Sequence, residues 1–389
     1  IIARMFAIAA PNVTLVAKFI NIMSALASAF TILFLFWTIT HLARKIVIDG
    51  HVSEAGAEQE PWRVWAVMGA GMVGALAYTF SDTFWFSAVE GEVYGMSSFF
   101  TAIVFWCILK WENVADEPHA NRWIILIAYL MGLSIGVHLL NLLCIPAIGL
   151  VYYFRKYKAT PRGVIAALAI SCVILGVILY GIIPGLVKIA GYFDLFFVND
   201  LGFGLNSGAI FWMLLLVAGL IWGIIFTLRR GKALANTILA AVAVIILGYS
   251  SFAMVVIRSA ADPTMDQNSP DNVFALIDYL NREQYGDRPL FYGQTFASPL
   301  DRKASQQEEG APVYMVKDGK YVEVERKPVY KYQASVLFPR MYSSQQSHID
   351  QYKAWSHFRG AKVQVEGDDG ERQVVTIPTF AENLRFFFS

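Results

Sequence analysis

The sequence predicts a polytopic α-helical membrane protein followed by a small α+β extracytoplasmic module. Three observations carry this. Hydrophobic residues make up 56% of the 389 and charged residues 16%. Mean hydropathy is +0.49, and the apolar residues concentrate in long runs over the first two thirds, more than a water-exposed domain can bury. After Arg258 the composition turns polar, with short β-type runs around Asp-Gly turns. The net charge of +1 averages over these unlike parts, and no basic tract is present. Membrane lipid is therefore an expected partner and nucleic acid is not. Cys107, Cys144 and Cys172 all fall in apolar runs, where cysteine acts as a small hydrophobe.

Residues 13–42 read as the first full span, led in by IIARMFAIAAP and closed by Arg44 and Lys45. An acidic, glycine-containing linker over 49–61 leads to Arg63. Spans follow at 64–79 and 96–109, then a polar loop over 110–122. The apolar tract 123–154 is interrupted by Gly136-Val137-His138-Leu139-Leu140-Asn141 and by Pro146, and ends in Arg155, Lys156, Lys158 and Arg162. A span over 164–183, a mixed loop over 184–208, a span over 210–228 ending in Arg229-Arg230, and a last span over 233–257 complete the membrane part.

Lys and Arg are retained on the cytoplasmic side, so the basic clusters should share it. For the loops at 110–122 and 155–162 to do so, 123–154 must cross twice in pieces of about 16 residues, giving about eight spans over residues 1–257. The Gly136–Asn141 break is then a tight turn on the far face. This gathers the N-terminus, 81–98, His138, Asn141, 184–208 and everything after 257 at one extracytoplasmic face. Beginning at Ile1, with Arg4 its lone n-region charge and no cleavage site, the chain reads as a fragment, and its last residues run on without a stop signal.

Residues 258–389 read as the extracytoplasmic module. Ser269 is expected as an N-cap with Pro270 at the first helical position, the helix running to about Arg282. Residues 289–292 read as a buried strand, and Asp318-Gly319 and Asp369-Gly370 as hairpin turns.

Chemistry concentrates in residues 81–98, SDTFWFSAVEGEVYGMSS, where Asp82, Glu90 and Glu92 stand among Phe84, Trp85, Phe86 and Tyr94 between two apolar runs. Acidic groups at such a boundary are costly and mark function. Glu90 and Glu92 point to one side of an extended segment, whereas on a helix they diverge by roughly 200°; Gly91 between them favours the extended form. The bland alternatives are solvated loop acids, a helix cap for Asp82, and an aromatic belt for Trp85 and Tyr94. His138 and Asn141 could simply bond the backbone freed at the break. Arg258 could snorkel to headgroups. His348 and His357 lack a supporting ligand cluster, so no metal site is expected there.

Four stretches carry a resemblance: FSDTFW at 80–85, AVEGEVY at 88–94, GLSIGVHLLN at 132–141 and DYLNREQYGDRPL at 278–290. They resemble the protein O-mannosyltransferase-like family, glycosyltransferase family 117, of large Bacteroidetes inner-membrane proteins. The resemblance implies a GT-C type fold with its active site at the extracytoplasmic face. It implies a polyprenyl-phosphate-linked sugar donor, a hexose such as mannose, and a protein Ser or Thr hydroxyl as acceptor. Glu90, Glu92 and Asp82 are then the catalytic carboxylates, and His138, Asn141, Trp85 and Tyr94 bind substrate. Arg258, with Lys188 behind it, would meet the leaving phosphate. The family's acidic Asp-x-Gly-Glu loop, expected to carry the principal catalytic carboxylate, would precede Ile1, so the chain alone is expected to be inactive. A divalent cation is left open. A membrane-anchored binding or assembly protein is the alternative reading, with a transporter third.

Overall fold

The computed structural model describes residues 2–48, 61–283, 289–367 and 371–389. All of the expected linker over 49–61 except Pro61 lies outside the described residues, as do the Asp369-Gly370 turn and positions 284–288 of the fourth resembling stretch. Residues 1–190 with 210–271 form one compact unit, and 191–209 with 272–389 form another.

The helices run in chain order as α1 (Ile2–Ala9), α2 (Val16–Val47), α3 (Pro61–Thr79), α4 (Asp82–Val89), α5 (Val93–Val114) and α6 (Asn121–Ile135). They continue as α7 (Ile145–Lys156), α8 (Pro161–Gly176), α9 (Ile183–Leu195), α10 (Ser207–Arg229), α11 (Ala233–Tyr249) and α12 (Ala253–Ser259). Among the described residues, six helical segments are long and apolar enough to cross a membrane, and seven if α3 and α4 count as one bent span; α6 is a shorter apolar helix. The protein is thus a multi-pass membrane protein.

Local chemistry fixes the boundaries. Thr160 caps α8 by accepting from the Gly163 amide at 3.1 Å, with Pro161 next. The 68° bend between α3 and α4 falls at Phe80-Ser81, where Thr79 and Ser81 hydroxyls donate back to the Ala75 and Tyr78 carbonyls. The mixed loop expected over 184–208 is largely helix instead. α8 passes through a π turn (Val177–Ile182) into α9, and a second π turn (Phe196–Asp200) follows. Pro184 cannot bond back to Tyr180, which widens the helix rather than ending it, and the apolar residues after it sustain the helix.

Helix directions define two ends of the first unit. α2 and α5 run parallel: Phe30 and Phe34 each lie 6.0 Å from Phe99, and Lys45 pairs with Glu112 further along. α6 returns from Asn121, which donates to Thr237 at 3.1 Å, to the turn at 136–138, and α7 runs back to Arg155, which donates to the Glu112 carbonyl at 2.9 Å. The tract expected to cross twice therefore folds as two antiparallel pieces. Lys45, Glu112, Asp116, Arg155 and Lys156 meet at one end. Lys156 and Arg155 hold the Asp116 carboxyl below its ordinary pKa by hydrogen bonding to it.

α6 and α11 pack backbone to backbone. A Cβ on Gly132 would lie 2.4 Å from the Ile245 carbonyl oxygen, and one on Gly248 would lie 2.5 Å from the Leu133 nitrogen. Neither backbone can yield without moving its helix. Gly132→Ala is accordingly expected to cost about 3 kcal/mol, read as a lowered melting temperature in detergent. Gly219→Ala is the control, because nothing lies within 4 Å of that position, and it should leave the melt unchanged.

The second unit joins 191–209 to α13 (Val273–Asn281), α14 (Arg302–Gln307), α15 (Gln346–Ser356), α16 (Phe380–Phe388) and three two-stranded antiparallel sheets. The strands are β1 (Tyr292–Gly293) with β4 (Val336–Leu337), β2 (Pro312–Lys317) with β3 (Lys320–Arg326), and β5 (Ala361–Glu366) with β6 (Arg372–Ile377). Asp318 and Gly319 turn the β2–β3 hairpin with φ of +52° and +74°, the left-handed pair that such a turn requires. Its Tyr321 is buried; the hydroxyl donates to Asp194 at 2.7 Å, and its backbone exchanges two hydrogen bonds with the Asn199 side chain.

Two expectations fail here. The helix begins at Val273, not Pro270. Asn272 is its cap, accepting from the Phe274 and Ala275 amides, while Ser269 sits at φ +37°, outside the extended geometry of a cap. The strand expected to be buried over 289–292 is two residues long and Phe291 is 80% exposed, because β4 offers only two residues to pair with it.

α16 is fastened at its start. Glu382 closes a capping box with Thr379 and also accepts from the Arg359 and Gly360 amides at 2.6 and 2.9 Å. Burial opposes its charge, but these hydrogen bonds outweigh it and hold its pKa at about 2. A carboxyl lowered in the folded state contributes stability above its unfolded pKa of about 4.3 and loses it as pH falls toward the folded value. Amide exchange over 380–388 should therefore be flat above roughly pH 5 and accelerate, after correction for intrinsic rates, as pH falls from 4 toward 2. Glu382→Gln should abolish that acceleration.

Candidate functional site

Residues 90–92, which separate α4 from α5, form a short bracket. Glu90 ends α4 with φ/ψ of −103°/142° and Glu92 precedes α5 with −104°/175°. Both are extended, so the two carboxylates project from one strand-like step rather than from opposite faces of a helix. Gly91 presses the bracket against the start of α2: a Cβ there would meet Ile20 Cγ2 at 2.8 Å and Asn21 Oδ1 at 3.0 Å. A larger residue would lift both acids off α2. Asp82 stands in the first turn of α4, after Ser81 in the extended capping position. All three acids are exposed, and no hydrogen bond or ion pair engages their side chains among the described residues.

Tyr94, in the first turn of α5, meets His138, with ring centroids 5.8 Å apart. His138 lies in the turn after α6, and its Nδ1 accepts from the Leu140 amide at 3.1 Å. That bond uses the lone pair on Nδ1, so Nε2 carries the proton and is the nitrogen that can donate. The turn is braced from behind, since a Cβ on Gly136 would lie 2.5 Å from Ser251 Oγ. Thus the structure brings together the bracket, Tyr94 and His138 at the end of the first unit opposite Lys45, Glu112 and Arg155.

Other predicted residues are placed differently. Asn141 is wholly buried and donates to Ser134 Oγ at 3.0 Å, a core pairing rather than a surface for substrate. Trp85 is half exposed and its ring stacks on Phe80 at 6.1 Å. Arg258 is exposed in the last turn of α12, and Lys188 lies on α9. No hydrogen bond or ion pair ties either cation to the acids among the described residues. Among the described residues no three His, Cys, Asp or Glu side chains gather around a point.

Two residues at this site were not singled out from the sequence. Asn21 touches the bracket directly, and Lys18, exposed, is one helical turn before it on the same face of α2. Polar residues spaced three apart inside an apolar run were the available signal. Lys18 is thus a cation one turn from the α2 residues that meet Gly91.

Residues 1–161, which contain the bracket, Tyr94, His138 and Lys18, match the family model described as the protein O-mannosyl-transferase TMEM260 N-terminal domain. This part of the chain is thus similar to a protein O-mannosyltransferase-like family. The description names a glycosyltransferase that acts on proteins, and three of the four resembling stretches fall inside the match. Residues 286–388 match a family of unknown function, DUF8416. No curated protein and no solved structure matches the chain.

Proposed function

We propose that this chain is the membrane core of a GT-C glycosyltransferase of family 117, which moves a hexose from a polyprenyl-phosphate carrier to a protein Ser or Thr hydroxyl. The observation that carries the reading is the Glu90-Gly91-Glu92 bracket, two exposed carboxylates in extended backbone seated on α2, within residues that match an O-mannosyltransferase family.

The acceptor hydroxyl attacks the anomeric carbon; its proton passes to one carboxylate; the bond from that carbon to the phosphate oxygen breaks, and polyprenyl phosphate leaves. The second carboxylate orients the acceptor or balances the developing positive charge on the sugar. His138 Nε2 and Lys18, with Arg258 as a further candidate, supply donors and charge to the leaving phosphate. Tyr94 and Trp85 give ring surface to the sugar.

The sidedness follows from charge. The end that holds Lys45, Lys110, Arg155 and Lys156 is assigned to the cytoplasm because basic residues are retained there. The bracket end is then extracytoplasmic, the periplasmic face of a bacterial inner membrane. Residues 258–389 are assigned to the same face as a module that positions the acceptor.

The test uses the full-length protein in detergent with polyprenyl-phosphate hexoses, nucleotide sugars and a Ser/Thr-rich acceptor. Transfer from the lipid-linked donor alone supports the reading. Transfer from the nucleotide sugar, or equal activity after replacement of both Glu90 and Glu92, overturns it.

A further inference from the structure

The end of the first unit away from the bracket contains a cavity of about 450 Å³ between α2, α3 and α5. Trp37, His41 and Arg44 from α2 and Trp106 and Lys110 from α5 line it, with Val67 of α3 as apolar wall. The two tryptophan rings stand 5.6 Å apart, and Lys110 Nζ lies 4.9 Å over the Trp106 ring. His41 Nε2 is buried with no hydrogen-bond partner among the described residues, 3.8 Å from Glu112 Oε2. Glu112 is already engaged by Lys45, so it does not cancel the charge of Lys110 in the cavity. Cations beside an aromatic wall, at the end of membrane-length helices, make a site for a phosphate group at headgroup depth.

We propose that this cavity binds one anionic membrane phospholipid, its phosphodiester held by Lys110, Arg44 and His41 and its glycerol and upper acyl carbons against Trp37 and Trp106. The shared chemistry, a phosphate, could also come from solution. The apolar wall and the position at the helix ends favour the lipid, whose acyl chains continue along α2 and α5. A bound lipid of this kind joins those two helices at the end opposite the bracket and uses none of the residues assigned to sugar transfer.

The experiment is native mass spectrometry of the purified full-length protein titrated with phosphatidylglycerol, phosphatidylcholine or inorganic phosphate. One phosphatidylglycerol per chain is expected to bind about tenfold more tightly than phosphatidylcholine. Lys110→Gln, which keeps the aliphatic stem over Trp106, should weaken phosphatidylglycerol about fivefold to tenfold and leave phosphatidylcholine unchanged. Arg44→Gln is the second variant and decides the matter if Lys110→Gln does not fold. Equal retention of the two lipids by the native protein overturns the proposal. So does unchanged phosphatidylglycerol binding in a folded variant, or displacement of the lipid by millimolar phosphate. Each outcome is read without reference to sugar transfer, so it stands apart from the fate of the proposed reaction.

Discussion

Replacing Glu90 and Glu92 by Gln, one at a time in the full-length protein, is expected to cut sugar transfer by about 10²–10⁴-fold in one variant and far less in the other. The asymmetry follows from geometry. A single acceptor hydroxyl has one proton to give, and the base must stand within hydrogen-bond reach of it. Glutamine keeps the shape and the hydrogen-bond acceptor but cannot take the proton. The loss in the variant at the base should appear in kcat, with KM little changed, because the proton moves in the transition state rather than on binding. At the other position the effect should lie mainly in KM, as expected of a group that orients substrate. If these acids were only solvated loop residues, both variants would retain activity to within about twofold, since exposed charges of that kind contribute little. Gly91→Val separates positioning from chemistry. It leaves both carboxylates intact but drives a side chain into Ile20 and Asn21, so it should lower transfer while the protein melts close to the native temperature.

The bracket was legible in the sequence because its signal is local. Two acids around one glycine, between apolar runs, announce an extended step at a membrane boundary. The long helices were legible for the same reason, and the antiparallel fold of 123–154 could be deduced because basic residues at 110–122 and 155–162 must end on one side. What escaped notice depends on contacts between distant residues. Lys18 and Asn21 gain meaning only once α2 is laid against Gly91. The start of α13 is a choice between two residues that both cap helices well, and the amides of Phe274 and Ala275 select Asn272. Residues 184–208 contain Pro184, Gly185, Gly191 and Asp194, a loop-like composition, yet α9 persists because its apolar residues and the π turn absorb the proline.

Asp194→Ala is expected to destabilise the second unit by about 4 kcal/mol, the largest effect on stability anticipated in the chain. Asp194 is wholly buried and accepts four hydrogen bonds, from the amides of Asn206, Gly208 and Ala209 and from the Tyr321 hydroxyl. Removing the carboxylate leaves all four donors without an acceptor. Each buried donor so stranded costs roughly 1–3 kcal/mol, offset in part by water entering the space. Tyr321→Phe removes one donor and leaves the carboxylate with three, so its cost should be about 1 kcal/mol. Asp194→Asn should fall between them, since one of its two oxygens becomes a donor facing other donors. Thermal melts of the full chain give the total, and amide exchange at residues 206–209 and 321 locates it. The pair also makes a double-mutant cycle. Once Asp194 is alanine, the tyrosine hydroxyl has lost its acceptor, so adding Tyr321→Phe should cost nothing further and could recover part of the loss. Strict additivity would mean that the hydroxyl and the carboxylate do not act on each other. The two hydrogen bonds from Asn199 to the Tyr321 backbone would then remain to hold the hairpin to 191–209.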